Sequence, residues 1–388
     1  MLALRGGADL VALWGQLSSV MELVAHVALA GVGTGLAVYA AKSTQREHQL
    51  ELLKEALRAG LTVSLIAALV MAAAALLAGD ALTGGKLSAG LLVAAATAGC
   101  VSVIPGTVNL LWQGMQRRDL VLALALLTAA LPVGMALASP APATLWLLVV
   151  AHALPALVLF AFPLRGVART RQPITRYVLP GVSIGVLTPA SMLVARAAVG
   201  DALSWHDVGV VQALWRVGDW IGGFAGGLWA IYFLPQVAAA QGTERFHALL
   251  RTAMRVTVIP SAAVLALCFI AHRPLLAWLY DASFQAPDAA ALLFFAGSVA
   301  RVASWIPLLG LYVLHRTRTI AAGELLSVPL FAALLVAAGE RLTLELAGAF
   351  WLASYCVYLA FNYWALVRLI PVGADAHLHD QRDIQRRD

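Results

Sequence analysis

Apolar residues run along this chain in long blocks separated by short polar stretches. A helix needs ~20 mostly apolar residues to cross a bilayer core. Eleven blocks meet that requirement, near 14–41, 59–78, 87–111, 119–138, 143–163, 175–199, 208–235, 252–271, 288–314, 319–338 and 343–367. The pattern predicts an all-α polytopic membrane protein with about 11 transmembrane helices.

The blocks repeat. An offset of 199 residues carries Thr44, Arg46, His48 and Leu50 onto Thr243, Arg245, His247 and Leu249, and Arg117 onto Arg316. The same offset lays the spans at 59–78, 87–111, 119–138 and 143–163 over four spans of the second half. The span at 175–199 would fall ahead of residue 1, so the repeat predicts a twelfth helix upstream. The expected organisation is two pseudo-repeated bundles of five and six spans. The first covers residues 1–163 and the second 175–368, with a cytoplasmic linker at 164–174 and a polar tail at 369–388. Parallel repeats in a membrane face each other across a substrate cavity near the midplane.

Composition strengthens this picture. Hydrophobic residues make up 61% and charged residues 12%, and mean hydropathy is +0.85. Soluble domains carry about 25% charged residues, so no soluble domain fits. The net charge of +6 does not build a nucleic-acid surface, because the basic residues are sorted by side. Nineteen fall in one set of loops and the tail, among them Lys42, Arg58, Arg117, Arg165, Arg245, Arg316 and Arg387. Only Arg5, Lys86, Arg273 and Arg341 fall in the other set. The positive-inside rule then places the C-terminus in the cytoplasm and Met1 outside. An upstream helix would bring both termini inside. No cleavable signal peptide is expected, since Arg5 and Asp9 interrupt the first ten residues.

The loops at 41–58 and 236–251 read as amphipathic helices with leucines toward the membrane, as in Gln49 to Leu57. Pro105, Pro155, Pro180, Pro189, Pro260, Pro307 and Pro329 predict kinks within spans. Small-residue pairs such as Gly222 with Gly226 and Gly223 with Gly227 allow close helix approach. Cys100, Cys268 and Cys356 stand singly in apolar spans and read as buried inert thiols. There is no metal-ligand spacing and no cofactor motif.

Candidate chemistry lies in the ionisable residues inside spans. A charge at mid-bilayer costs at least ~2.5–3.5 kcal/mol on insertion scales, so it faces a cavity or a partner. Arg196, Arg216 and Arg301 qualify. Arg301 lies ~20 Å into its span at 1.5 Å per residue, whereas Arg196 is close enough to a helix end to snorkel. Arg216 and Asp219, at i and i+3, share a helix face and can form an ion pair. Glu22 and His26 stand at i and i+4 on the matching helix, His152 lies mid-span, and Glu324 lies about a turn and a half into its span. Arginine binds phosphate through a planar fork of donors, so these residues suit a phosphate or diphosphate headgroup. Asp219, Glu22, His26 and Glu324 suit proton coupling or a cavity charge. Most tryptophans fall near span ends, as in an aromatic belt.

Several segments resemble one transporter family. They are Arg196 to Ala213 with Ser204-Trp205-His206-Asp207-Val208-Gly209, and Asn109-Leu110-Leu111 followed by Gly114-Met115-Gln116-Arg117-Arg118-Asp119. Tyr232-Phe233-Leu234-Pro235 and the stretch from Arg301 through Tyr312 to Glu324 complete the set. Together they resemble the Wzx-type flippases, the O-antigen and enterobacterial common antigen translocases of the multidrug/oligosaccharidyl-lipid/polysaccharide (MOP) exporter superfamily. The resemblance extends from about residue 4 to the end. It implies a MATE-like fold in the bacterial inner membrane and no cofactor. It also implies an undecaprenyl-diphosphate-linked glycan as substrate, moved by alternating access between leaflets, and contact with polysaccharide polymerase or export machinery. Arg196, Asp219 and Glu324 match residues of the same type in the family, and Arg301 matches a basic position. Glu22 and Arg216 stand where a close relative is uncharged, so their roles rest on this chain alone.

Three rival readings stand beside this one. A lipid II or multidrug exporter of the same superfamily shares the fold, although three intramembrane arginines disfavour a cationic drug. A polytopic glycan-processing enzyme would need a catalytic constellation that the short loops at 200–207 and 272–287 do not supply. A non-transporting scaffold would leave the intramembrane charges without a purpose.

Overall fold

The computed structural model describes residues 2–42, 45–115, 117–138, 143–160, 178–241, 244–314 and 316–369, and no strand occurs among them. The linker at 164–174 and the tail at 370–388 lie outside the described residues. The first half supplies α1 (Leu2–Lys42), α2 (Arg46–Thr83), α3 (Ala89–Gly114), α4 (Arg118–Ala138) and α5 (Thr144–Phe160). The second supplies α6 (Val178–Ala202), α7 (Trp205–Leu228), a π-helical turn at Trp229–Phe233, α8 (Leu234–Ala239), α9 (Glu244–Ile270) and α10 (His272–Leu279). It ends with α11 (Asp288–Val313), α12 (Thr317–Glu324), α13 (Val328–Ala338) and α14 (Leu344–Leu369). Each of the eleven predicted spans falls on a helix or, at 208–235 and 319–338, on consecutive helices.

Local chemistry sets the helix ends. Ser88 caps α3 by accepting from Leu91 N–H, and Ser204 caps α7 by accepting from Asp207 N–H. Gly84 ends α2 at φ 57°, where a side chain would be strained, and its N–H reaches the Asp80 carbonyl. Among the described residues, eight helices are long and apolar enough to cross a membrane. Their outward faces are apolar, as at Leu77 of α2 and Leu126 of α4, which a multi-pass membrane protein presents to lipid.

Packing reproduces the repeat. Within the first half α1 packs on α3, α2 on α1 and α3, and α5 on α3 and α4. Within the second, α7 packs on α11, α9 on α7 and α11, and α14 on α11 and α13. The offset of 199 places Gly99 on Ser298 and Gly106 on Trp305. Both pairs lie at these matched interfaces. In the first half the glycines belong to α3, and a Cβ on Gly99 or Gly106 would press into Met21 or Leu29 of α1. In the second half the glycines belong to α7, where Gly218 faces Ser298 and Gly226 faces Trp305. The close approach is kept while the small partner changes sides.

Three expectations need correction. The stretch Gln49 to Leu57 lies in the first part of α2, and of its leucines only Leu50 is exposed. Leu52 is fully buried, with Leu53, Ala56 and Leu57, against Val32, Leu36, Ile104 and Leu111. Phe246 and Leu250 at the matching place in α9 are buried likewise. An apolar stripe has the same period whether lipid or protein covers it. Second, Pro329 does more than kink its span. Its missing N–H and its ring end pairing with the Leu325 carbonyl, and the helix breaks completely at Leu325–Ser327. Third, Cys356 is exposed and Cys100 and Cys268 are half-buried, so the thiols are not uniformly buried.

Candidate functional site

The arginine-poor ends of the helices hold the main seam between the halves, formed by α1 and α2 against α6 and α7. Glycine permits it. A Cβ on Gly209 would overlap the Ala8 carbonyl, and one on Gly15 would sit 3.1 Å from both Arg196 Nε and Gln212 Oε1. Gln16 Nε2 donates to the carbonyls of Leu82 (2.6 Å) and Leu193 (3.2 Å).

Arg196 lies inside this seam with 4% exposure. It does not snorkel. Its Nε donates to Gln212 Oε1 at 2.8 Å, and its Nη1 donates to Ser19 Oγ on α1. Its guanidinium lies 5.7 Å from the centre of the Trp215 ring. The side chain therefore ties the second half to the first.

Beside the seam is a cavity of about 590 Å³. Its walls come from α1 (Trp14, Ser18, Glu22), α4 (Thr128, Pro132), α5 (Leu148, His152), α7 (Gln212, Arg216, Trp220) and Tyr280 after α10. Arg216 stands ~17 Å down α7 from Trp205, at 1.5 Å per residue. Among the described residues it forms no ion pair and no hydrogen bond. The i, i+3 pairing of Arg216 with Asp219 is replaced by a longer-range one. Asp219 Oδ1 instead takes Arg301 Nη1 of α11 at 2.7 Å.

Arg301 reaches Asp219 because α7 is bare there. A Cβ on Gly222 would lie 2.8 Å from Arg301 Nη2 and 3.2 Å from the Trp305 ring. Gly223 and Gly227 face open space. Trp305 and Trp351 stand 5.7 Å and 5.9 Å from the guanidinium, and the Tyr355 ring packs edge-on against Trp351 at 4.7 Å. The Arg301 Nε is buried without a partner.

The structure thus separates the predicted residues into groups. Arg216 and Glu22 line the cavity together. Arg301 and Asp219 form a partly buried ion pair one turn further along α7. Arg196 closes the seam. His26 is exposed, its Nδ1 bonded to the Glu22 backbone carbonyl at 2.8 Å. Glu324, at the α12–α13 break, accepts from the Tyr358 hydroxyl at 2.7 Å, away from the cavity. His152 does face the cavity, with Nδ1 on the Leu148 carbonyl at 3.0 Å and its ring 5.3 Å from Trp14. Ser19, Tyr355, Tyr358 and Asn362 were not distinguished by sequence. A hydroxyl or amide in an apolar span carries no signal of which neighbour it meets.

Comparison with family models and with curated protein sequences returns no match. Solved structures do match. An inward-facing multidrug resistance MATE family transporter of the MOP superfamily overlays at TM-score 0.67, with 15% identity over 95% of this chain and 94% of that one. An outward-facing MATE family transporter gives 0.59 at 14% identity, over 95% and 90%. A MOP superfamily transporter from Pyrococcus furiosus, described as having a binding pocket of reverse polarity that suggests a different function, gives 0.65 at 17% identity, over 94% and 89%. With its two packed half-bundles and the cavity between them, the chain has the fold of the MATE transporters of the MOP superfamily.

Proposed function

We propose that the protein is an exporter that flips an undecaprenyl-diphosphate-linked oligosaccharide, an O-antigen or common-antigen repeat unit, across the bacterial inner membrane by alternating access. The observation that carries this reading is Arg216, a guanidinium in the cavity between the halves with no anion paired to it. Arg216 is half-buried and lines that cavity with no ion-pair partner among the described residues, so an anionic group entering the cavity meets an unneutralised guanidinium. A diphosphate offers the bidentate acceptors a guanidinium fork prefers. Trp14, Trp220 and Tyr280 present flat apolar bodies with polar tips beside it, a wall suited to sugar rings. The cavity volume lies within the range of small-molecule sites.

Arg301 then acts second. It is held by Asp219 and becomes available to the headgroup only when that pair separates. Arg196 acts on the seam rather than on the substrate. The better overlay with an inward-facing relative supports a state closed at the arginine-poor end, where the resemblance and the loop charges would place the periplasm. Contact with polymerase or export machinery would follow in that compartment.

A test is complementation of a bacterium lacking its own flippase, reading surface glycan and cytoplasmic-face lipid-linked precursor. The wild-type chain should clear precursor. Arg216→Ala should lose most transport at equal membrane abundance, and Arg216→Lys should recover part, since a point charge replaces the fork. Full activity of Arg216→Ala would sink the assignment. A multidrug exporter is the second reading, favoured by Glu22 and the aromatic wall. Efflux of cationic dyes that depends on Glu22 and not on Arg216 would establish it instead.

A further inference from the structure

Arg216 shares its cavity with a charge of the opposite sign. Trp14, Ser18 and Glu22 recur every four residues on α1, so one face of that helix carries all three into the wall. Gln212, Arg216 and Trp220 do the same on α7. Glu22 is exposed and Arg216 is half-buried. Among the described residues neither forms an ion pair, with the other or with a third group. His26, one turn along α1, bonds the Glu22 backbone carbonyl rather than its carboxylate.

The two charges are spaced along the cavity. α1 and α7 run side by side in the same direction, with Ala8 against Gly209 and Gly15 against Gln212. Counting on from these contacts sets Glu22 level with residues 219–223 of α7. That is roughly 5–10 Å beyond Arg216 along the axis, at 1.5 Å per residue. A single sugar ring with its substituents spans a gap of that size.

Opposite charges held apart in one cavity constrain what can enter. A diphosphate on Arg216 brings negative charge close to Glu22, and the two repel. A neutral or N-acetylated sugar beside it strips water from the carboxylate and returns no charge to it. A protonated amine on that sugar removes both penalties, because it neutralises Glu22 and donates hydrogen bonds to it. The Ser18 hydroxyl, one turn back on the same face, offers a second acceptor. We propose that Glu22 is a specificity-determining residue, and that the transported glycan carries a free amine on the sugar that bears the diphosphate. The cavity then takes a zwitterion, with its anion on Arg216 and its cation on Glu22. This inference rests on the headgroup reading of Arg216 and narrows it to a substrate class.

Two synthetic conjugates test it: a short-chain prenyl diphosphate bearing glucosamine, and the same compound with its amine acetylated. Binding to the full-length protein in nanodiscs is read by quenching of tryptophan fluorescence, since Trp14 and Trp220 line the cavity. The pH is mildly acidic, so that the sugar amine is protonated. The amine conjugate should bind about tenfold more tightly, the worth of one charge-assisted hydrogen bond. Glu22→Gln should erase that difference, and Glu22→Asp, with its charge on a shorter arm, should keep part of it. Arg216→Ala should weaken both conjugates. Equal affinities in the wild type would overturn the amine inference and leave the headgroup reading standing. So would a preference that persists in Glu22→Gln at an unaltered thermal midpoint. If neither conjugate binds, or Arg216→Ala leaves both affinities unchanged, the headgroup reading fails and this inference falls with it.

Discussion

Ser19→Ala should open the arginine-poor end of the molecule. The serine hydroxyl is the acceptor by which Arg196 of the second half holds α1 of the first. Removing it leaves a guanidinium N–H without a partner in a site where Arg196 is 4% exposed. A hydrogen bond to a charged group is worth about 1.5–3 kcal/mol. The bond to Gln212 at 2.8 Å and the stacking on Trp215 stay within the second half and survive any movement between the halves. The full loss therefore falls on the closed state. At 1.4 kcal/mol per tenfold, the closed-to-open ratio should fall roughly 10- to 150-fold. Spin labels at the exposed positions Asp9 and His206, in a background where Cys100, Cys268 and Cys356 are replaced, report the distance across the seam. The distribution for Ser19→Ala should gain a longer component. Ser298→Ala removes a buried serine whose bond runs inside α11, so it should leave the distribution as in wild type. An unchanged distribution for Ser19→Ala would refute the view that Arg196 latches the halves.

Two further outcomes follow from packing. Gly222→Ala pushes a methyl to 2.8 Å from Arg301 Nη2, so it should separate Arg301 from Asp219, reduce transport and cost about 1–3 kcal/mol by overpacking. Gly223→Ala, with open space beside it, should change neither thermal midpoint nor precursor clearance. Leu52→Ala should destabilise by about 2–5 kcal/mol, as a core deletion does, while Leu50→Ala, 40% exposed, should be nearly silent in thermal denaturation. Equal, small effects at both positions would restore the membrane-facing reading of that stretch.

The placement of the apolar spans on helices, the repeat and its offset, and the position of Arg301 far into its span were legible in the order of residues alone. Each depends on length and period, and both are one-dimensional quantities. Partnership was not. Arg216 and Asp219 look like a pair at i, i+3, but the distant Arg301 takes Asp219 because glycine at 222 lets α11 approach. Arg196 looks able to reach an interface, but α1 lies over it with Ser19. Leu52, Leu53 and Leu57 look like a lipid face, but α1 and α3 cover them. Tyr358 is unremarkable in a list of apolar-span residues and meets Glu324 only when α14 lies along the broken span. Which surface covers an apolar stripe, and which charge neutralises another, depends on contacts between residues remote in the chain, so only the packing of the helices decided them.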